Sequence, residues 1–311
     1  MRVLVTGATG FIGAHVAEHF RKKGAEVEGV CRSYNPNSVL AIKGVECKLY
    51  FADLTNFEEV RRIMSNGYDV VVHCAAQAIV RNAMRDPVGT FATNVMGTVN
   101  VLEAARLADV GKVVVFSTDK VYSETVKATE NNPILPPRLF KGVYETSKAA
   151  ADLAAQCFAD VYGMKVIVVR PANVYGFDPW NRRIIPNTIR SCIRGESPVI
   201  FVEKEPSYRE YIHVSDVCRA VELLVDKVDR GVFNVGSGEV KTQEEVVLET
   251  LKHFEGLKPR YVERPNIPEI KRQSLDSTKI RALGWKPKVD FSTGIRMTVE
   301  EFKRFFQFGK P

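Results

Sequence analysis

Arg2-Val3-Leu4-Val5-Thr6-Gly7-Ala8-Thr9-Gly10-Phe11-Ile12-Gly13 carries an apolar, β-branched run into a glycine-rich turn, and apolar residues then recur at helical spacing from Ala14 to Lys23. A strand, a glycine turn and a helix in that order form a cradle for a pyrophosphate. The glycines allow a tight turn and close backbone approach, and the helix amino terminus presents unpaired N–H groups and the positive end of its dipole. Gly7, Thr9, Gly10, Phe11, Ile12 and Gly13 are therefore expected to hold a dinucleotide.

Working outward, strand-like runs alternate with helix-like segments: Glu26 to Val30, Cys47 to Tyr50, Val70 to Val72, Val113 to Phe116 and Val166 to Val169, with the helical period clear again from Thr90 to Ala108. Such alternation predicts an α/β fold, a Rossmann-type doubly wound parallel sheet. After Arg170-Pro171 the texture turns to Gly, Pro, Asn and Trp, and Val232 to Gly236 reads as a strand returning to the first sheet. The expected organisation is a dinucleotide-binding domain over 1–171 with return elements near 212–237. A smaller α/β C-terminal substrate domain takes 172–211 and 238–311. The long Pro-containing loop from Ser123 to Gly142 is expected to be functional.

The 311 residues, 45% of them hydrophobic, suffice for a sizeable core. No run approaches the roughly 20 apolar residues of a membrane span, and a strand begins almost at the first residue, so neither a membrane segment nor a leader is expected. The six cysteines are scattered, without a C-x-x-C pair or a histidine at ligand spacing. This points to a reduced cytoplasm and to no metal site. An excess of 44 Lys+Arg over 37 Asp+Glu gives a net charge of +7, which favours anionic ligands; no basic stripe argues for nucleic acid.

Two further patterns bear on chemistry. An acidic residue at the end of the second strand would hold the ribose of NAD, but the chain reads Gly29-Val30-Cys31-Arg32-Ser33. A guanidinium and a hydroxyl suit a 2′-phosphate, so NADP is expected ahead of NAD. The buried strand Val113 to Phe116 breaks into Ser117-Thr118-Asp119-Lys120, at the end where open α/β sheets bind ligands. Tyr144 and Lys148, four apart, share one face of a helix. A phenol, with its pKa near about 10, needs a neighbouring cation to act as a base, and Lys148 is the expected one. Thr118 would orient the hydroxyl being oxidised. Asp119 and Lys120 add an acid and a base that a simple alcohol oxidation does not need; the competing reading is a resting ion pair that only shapes the pocket.

Together these features resemble the extended short-chain dehydrogenase/reductase family of nucleotide-sugar epimerases and dehydratases, almost end to end. The resemblance is carried by the spacing of residues 1–31, Val72-His73-Cys74-Ala75-Ala76-Gln77, Thr93-Asn94-Val95-Met96-Gly97-Thr98 and Tyr144-Glu145-Thr146-Ser147-Lys148. It continues through Arg170 to Gly176, Arg209 to Val214, and Arg272 before Leu283-Gly284-Trp285-Lys286-Pro287. It implies cofactor contacts from Asp53, Leu54, Ala75, Ala76, Gln77, Asn94, Ser117, Tyr144 and Lys148. It also implies a nucleotide-diphosphate sugar held by Thr118, Asn173, Arg183, Arg209 and Arg272, and a homodimer through helices near 90–108 and 144–162. Within the family, Ser117 to Lys120 and Ala75 to Arg81 look most like 4,6-dehydratases, those of CDP-glucose above all. GDP- and UDP-hexoses stay open, as do a 4-epimerase or 5-epimerizing dehydratase and a regulatory protein without turnover.

Overall fold

The computed structural model describes residues 1–122, 125–134, 142–263 and 270–308. Its strands, in chain order, are β1 (Arg2–Thr6), β2 (Glu26–Cys31), β3 (Lys48–Phe51), β4 (Val70–His73), β5 (Lys112–Phe116), β6 (Thr125–Ala128) and β7 (Val166–Pro171). They continue with β8 (Asn173–Tyr175), β9 (Val199–Val202), β10 (Tyr208–His213), β11 (Gly231–Val235), β12 (Val240–Thr242), β13 (Arg260–Glu263) and β14 (Arg272–Leu275). Seven of them form one sheet in the order β11-β7-β5-β4-β1-β2-β3, every neighbouring pair parallel.

A parallel sheet with helices on both faces buries every side chain of its central strands, which is why those strands are runs of Val, Leu and Ile. The pleat sorts them by parity. Val3, Val5, Val72 and Val114 enter one apolar cluster with Phe20 and Leu224, whereas Leu4, Val71, Val113 and Val115 enter the other with Leu102 and Met64. The chain runs from β1 outward through β2 to β3, then returns to the other side of β1 as β4. The crevice beyond the carboxyl ends of β1 and β4 is thus the topological switch point where such sheets take ligands.

The segment from Thr90 to Ala108 is not one continuous helix. Pro87–Phe91 gives way to a π-helical turn over Ala92–Met96 before Gly97–Leu107. The wider turn accompanies an inward-facing Asn94, whose Oδ1 accepts from Gln77 N at 2.7 Å and whose Nδ2 donates to Ser147 Oγ at 2.9 Å. Single π turns of this kind recur at functional sites. The Ser123–Gly142 loop also departs from expectation, because it contains β6, which pairs with β14; residues 123–124 and 135–141 of that loop lie outside the described ones.

The remaining strands form a second sheet, β12-β10-β14-β6 with β8 against β10, and a β13-β9 pair. β10 therefore spans both neighbourhoods: Tyr211 to His213 pair with β8, and Tyr208 and Arg209 pair with β14. Among the described residues, no helix is long and apolar enough to cross a membrane.

Three histidines are buried within this scaffold. His73 lies between Thr6 Oγ1 at 2.7 Å and Thr98 Oγ1 at 2.9 Å, and burial lowers its pKa to about 3. Burial likewise lowers His15 and His213 to about 4. These folded values lie below the unfolded one near about 6.5, so between them the unfolded chain binds more protons and stability falls as pH drops. The slope is up to about 1.4 kcal/mol per pH unit for each histidine. Denaturant midpoints should hold above about pH 7 and fall steeply below about 6.5; a midpoint unchanged down to about pH 5 would contradict this burial.

Candidate active site

Gly7 has a φ of +67°, and a Cβ there would come within 2.8 Å of Ala75 Cα; a Cβ on Gly13 would come within 2.2 Å of Gly7 O. The turn is pressed against the exit of β4, closer than any side chain permits. Gly10 caps the helix Phe11–Lys22, and among the described residues no side chain bonds to that amino terminus. Thr9, Gly10, Phe11, Ile12 and Gly13 instead line a cleft of about 690 Å³ together with Gly7, Ala76 and Gln77. A cradle without Cβ atoms at a helix amino terminus fits the pyrophosphate of a dinucleotide.

At the far corner of this cradle, Arg32 is exposed at the end of β2. Asp53 is held below the usual carboxylate range, first by hydrogen bonds from Thr55 N and Oγ1, both 2.9 Å, and then by the charge of Arg32. Leu54 is buried, and its carbonyl accepts from Asn100. Ala75 supports Gly7 from beneath, and Asn94 braces Gln77 from behind.

The floor of the cleft is the end of β5. Thr118 Oγ1 donates to Asp119 Oδ1 at 3.0 Å, and Lys120 Nζ donates to the same oxygen at 3.0 Å and to Asn173 Oδ1 at 3.2 Å. Tyr144 stands in the same cleft as Thr118, whose hydroxyl acts to lower the phenol's pKa. The result is a continuous series, Thr118–Asp119–Lys120–Asn173. All its members except Asp119 line the cleft. Asp119 is fully buried behind Lys120 and leaves Oδ2 without a hydrogen-bond partner.

Burial raises the pKa of Tyr144, opposed chiefly by the positive charge of Arg183 and then by the Thr118 hydroxyl. Among the charges near the phenol, that of Arg183 acts to lower its pKa. Lys148, which the helical spacing marks for that task, turns its Nζ to Phe116 O at 2.5 Å, and burial lowers its pKa to about 8.

Of the substrate candidates, Asn173 and Arg183 wall this cleft, Arg183 as the residue capping the helix Ile184–Ile193. Arg209 lines an adjoining cleft of about 460 Å³ with Ile184 and Tyr211. Arg272 is not among the lining residues of either; its guanidinium lies 5.5 Å over the Tyr208 ring. The two arginines singled out for phosphate stand on the neighbouring strands β10 and β14.

The machinery rests on a buried network that motif spacing does not disclose. Arg170 Nε and Nη2 donate to the two oxygens of Asp152, each at 2.8 Å. Asp152 also accepts from Ser117 Oγ at 2.5 Å, and Arg170 Nη1 donates to Tyr122 Oη at 2.7 Å. The available signal was an acidic residue four beyond Lys148, on a helix face otherwise made of Ala149, Ala151 and Ala155. Asn35, Asn37, Ser38, Trp180 and Asn181 also line the cleft; only their polarity in loops could have marked them.

The family model of the NAD dependent epimerase/dehydratase family matches residues 3–236. A dTDP-glucose 4,6-dehydratase of Streptomyces niveus is 31% identical over 323 residues, covering 97% of this chain and 93% of the relative. A UDP-glucose 4-epimerase of Thermotoga maritima, solved with UDP-glucose, superposes with a TM-score of 0.88 at 31% identity, covering 98% and 99% of the two chains. The UDP-glucose 4-epimerase of Thermus thermophilus, in complex with NAD, superposes with a TM-score of 0.86 at 34% identity, covering 97% and 99%.

Replacing Asp152 by Asn would leave the Arg170 guanidinium buried without its counter-charge, a loss of about 3–5 kcal/mol. Chemical denaturation should show that loss for Asp152→Asn and recover most of it in the paired variant Asp152→Leu with Arg170→Met. A stability unchanged by Asp152→Asn would contradict the role given to the pair.

Proposed function

The chain belongs to the NAD dependent epimerase/dehydratase family, and on that premise we propose that it is a nucleotide-diphosphate-hexose 4,6-dehydratase, forming the 4-keto-6-deoxy sugar. The observation that carries this reading is the hydrogen-bonded series Thr118–Asp119–Lys120 opening into the cleft that Tyr144 also lines. Oxidation at C4 and its reversal need one base and a hydroxyl to orient the sugar. An acid and a second base beside that base are what elimination across C5 and C6 requires.

The nicotinamide, when bound, supplies the hydride acceptor for C4 and the hydride donor for C6. Tyr144 takes the proton of the C4 hydroxyl, with Thr118 holding that hydroxyl and Arg183 favouring the phenolate. Lys120, facing the cleft, removes the C5 proton that the new ketone has acidified. Asp119, joined to the cleft through Thr118 and Lys120 and not itself lining it, is the source of the proton for the departing C6 hydroxyl, which leaves as water. Return of a proton to C5 completes the product, with no net oxidation. A second reading, a 4-epimerase, draws on the two solved epimerases above and on the ion pair that Asp119 and Lys120 form at rest.

The cofactor we assign is NADP, with NAD as the alternative. Its support is the Arg32-Ser33 corner where the carboxylate that selects NAD would stand. We assign a homodimer to the face of helices Gly97–Leu107 and Val143–Tyr162, where Leu107, Leu153, Val161 and Tyr162 are exposed; apolar side chains gathered on one side of a monomer mark an interface. Light scattering supports this as a dimer and counts against it as a monomer.

Purified protein incubated with NADP and a panel of CDP-, GDP-, UDP- and dTDP-hexoses should yield a product lighter by about 18 Da, one water. NADP should support it better than NAD. Lys120→Met and Asp119→Asn should stop the loss of water while still allowing reduction of the cofactor, whereas Tyr144→Phe should impair both, by about 100-fold or more. A C4 epimer of unchanged mass would establish the second reading instead.

A further inference from the structure

Asp119 is held from the second sheet as well as from the first. It opens the three-residue turn Asp119–Val121, whose own bonds are long: Val121 N donates to Thr118 O at 3.4 Å and Tyr122 N to Asp119 O at 3.2 Å. Gln273, on β14, donates from Nε2 to that same Asp119 O at 3.1 Å. Its backbone is fixed on both sides, in register with Arg209 of β10 and Thr125 of β6. The partner of Asp119 is reached from this sheet too. Asn173 of β8 accepts from Lys120 Nζ at 3.2 Å and donates to Glu210 O of β10 at 3.0 Å.

The other end of the Gln273 side chain makes the position informative. The residue is buried, and among the described residues its Oε1 has no hydrogen-bond partner. An unpaired acceptor in the interior costs stability, so its presence calls for a reason. A methionine, unbranched and of similar length, would fill the place without that cost, and Asp119 O would keep Tyr122 N as its partner. Packing alone therefore does not account for a carboxamide here, whereas its donation to Asp119 does. The structure assigns Gln273 as a positioning residue for the elimination, one that fixes the turn so that the Asp119 carboxylate meets Thr118 and Lys120 at once. This rests on the 4,6-dehydratase reading above. The turn then has two anchors, Arg170 on Tyr122 just past its end and Gln273 on Asp119 at its start. Tyr144 is carried by the helix Val143–Tyr162 and Thr118 stands just past β5, so oxidation at C4 keeps its groups when the Gln273 tether is cut. Elimination loses the placement of its acid.

The test compares Gln273→Met and Gln273→Leu with the native full chain, using NADP and the CDP-, GDP-, UDP- and dTDP-hexoses. Denaturant midpoints should match or exceed the native one, and kinetics are read in whichever variant keeps it. Dehydrated product should form about 10- to 100-fold more slowly, the scale of a misplacement of about 1 Å, with KM within about twofold. Reduced nicotinamide should build up, seen in its near-ultraviolet absorbance, because C4 oxidation runs ahead of a slowed elimination. A lower midpoint in both variants, or failure of both to fold, makes Gln273 a structural residue and overturns the inference. So does an unchanged rate, or an equal slowing of oxidation and elimination. A native chain that forms no dehydrated product removes the 4,6-dehydratase reading, and the inference falls with it. Native dehydration beside unchanged variants removes the inference alone.

Discussion

The bidentate contact between Arg170 and Asp152 joins the helix that carries Tyr144 and Lys148 to the strand end that carries Thr118, Asp119 and Lys120. Asp152 belongs to the helix that carries Tyr144 and Lys148, and Arg170 belongs to β7. Through Ser117 the pair holds the end of β5, and through Tyr122 it holds the residue just past the Asp119–Val121 turn. Tyr122 in turn donates to Asn234 on β11 at 2.8 Å. Two charges removed from water need full pairing to be tolerated, and here both carboxylate oxygens and all three guanidinium nitrogens have partners. The phenol, the threonine and the lysine are thereby positioned by the interior of the protein, with the cleft's loops left to meet the ligand.

The same burial sets the electrostatics. A phenol placed at the end of a parallel strand loses water and becomes a weaker acid, and a lysine beside it loses part of its affinity for a proton. Both shifts come from desolvation. Arg183, at the tip of a helix from the second half of the chain, opposes the first of them. The positive charge that favours the phenolate is therefore delivered by the region that also borders the second cleft.

The sheet was legible because its signal is periodic. Val113 to Phe116 alternate between two apolar clusters, and the glycine turn has a unique strand-to-helix setting. The candidate residues Thr118, Lys120 and Tyr144, which line one cleft, were legible as residue types at fixed spacing. What spacing cannot supply is side-chain direction. Lys148 reaches Phe116 O because that carbonyl is the open acceptor at the strand's end, and Arg272 stacks on Tyr208 because the register of β10 and β14 sets them opposite each other. The π turn around Asn94 escaped for a similar reason: one extra residue in a turn leaves the apolar intervals nearly unchanged while rotating a single carboxamide inward. The Asp152–Arg170 contact depends on two elements eighteen residues apart, and only the fold brings them together.

The central claim is that hydrogen leaves C4 and returns to C6 of one hexose while Lys120 and Asp119 remove water between those positions. A nucleotide-diphosphate hexose deuterated at C4, turned over in ordinary water and read by NMR, tests it directly. Deuterium found at C6 of a 4-keto-6-deoxy product is the result this structure predicts. Deuterium retained at C4 of an epimerised sugar would contradict it.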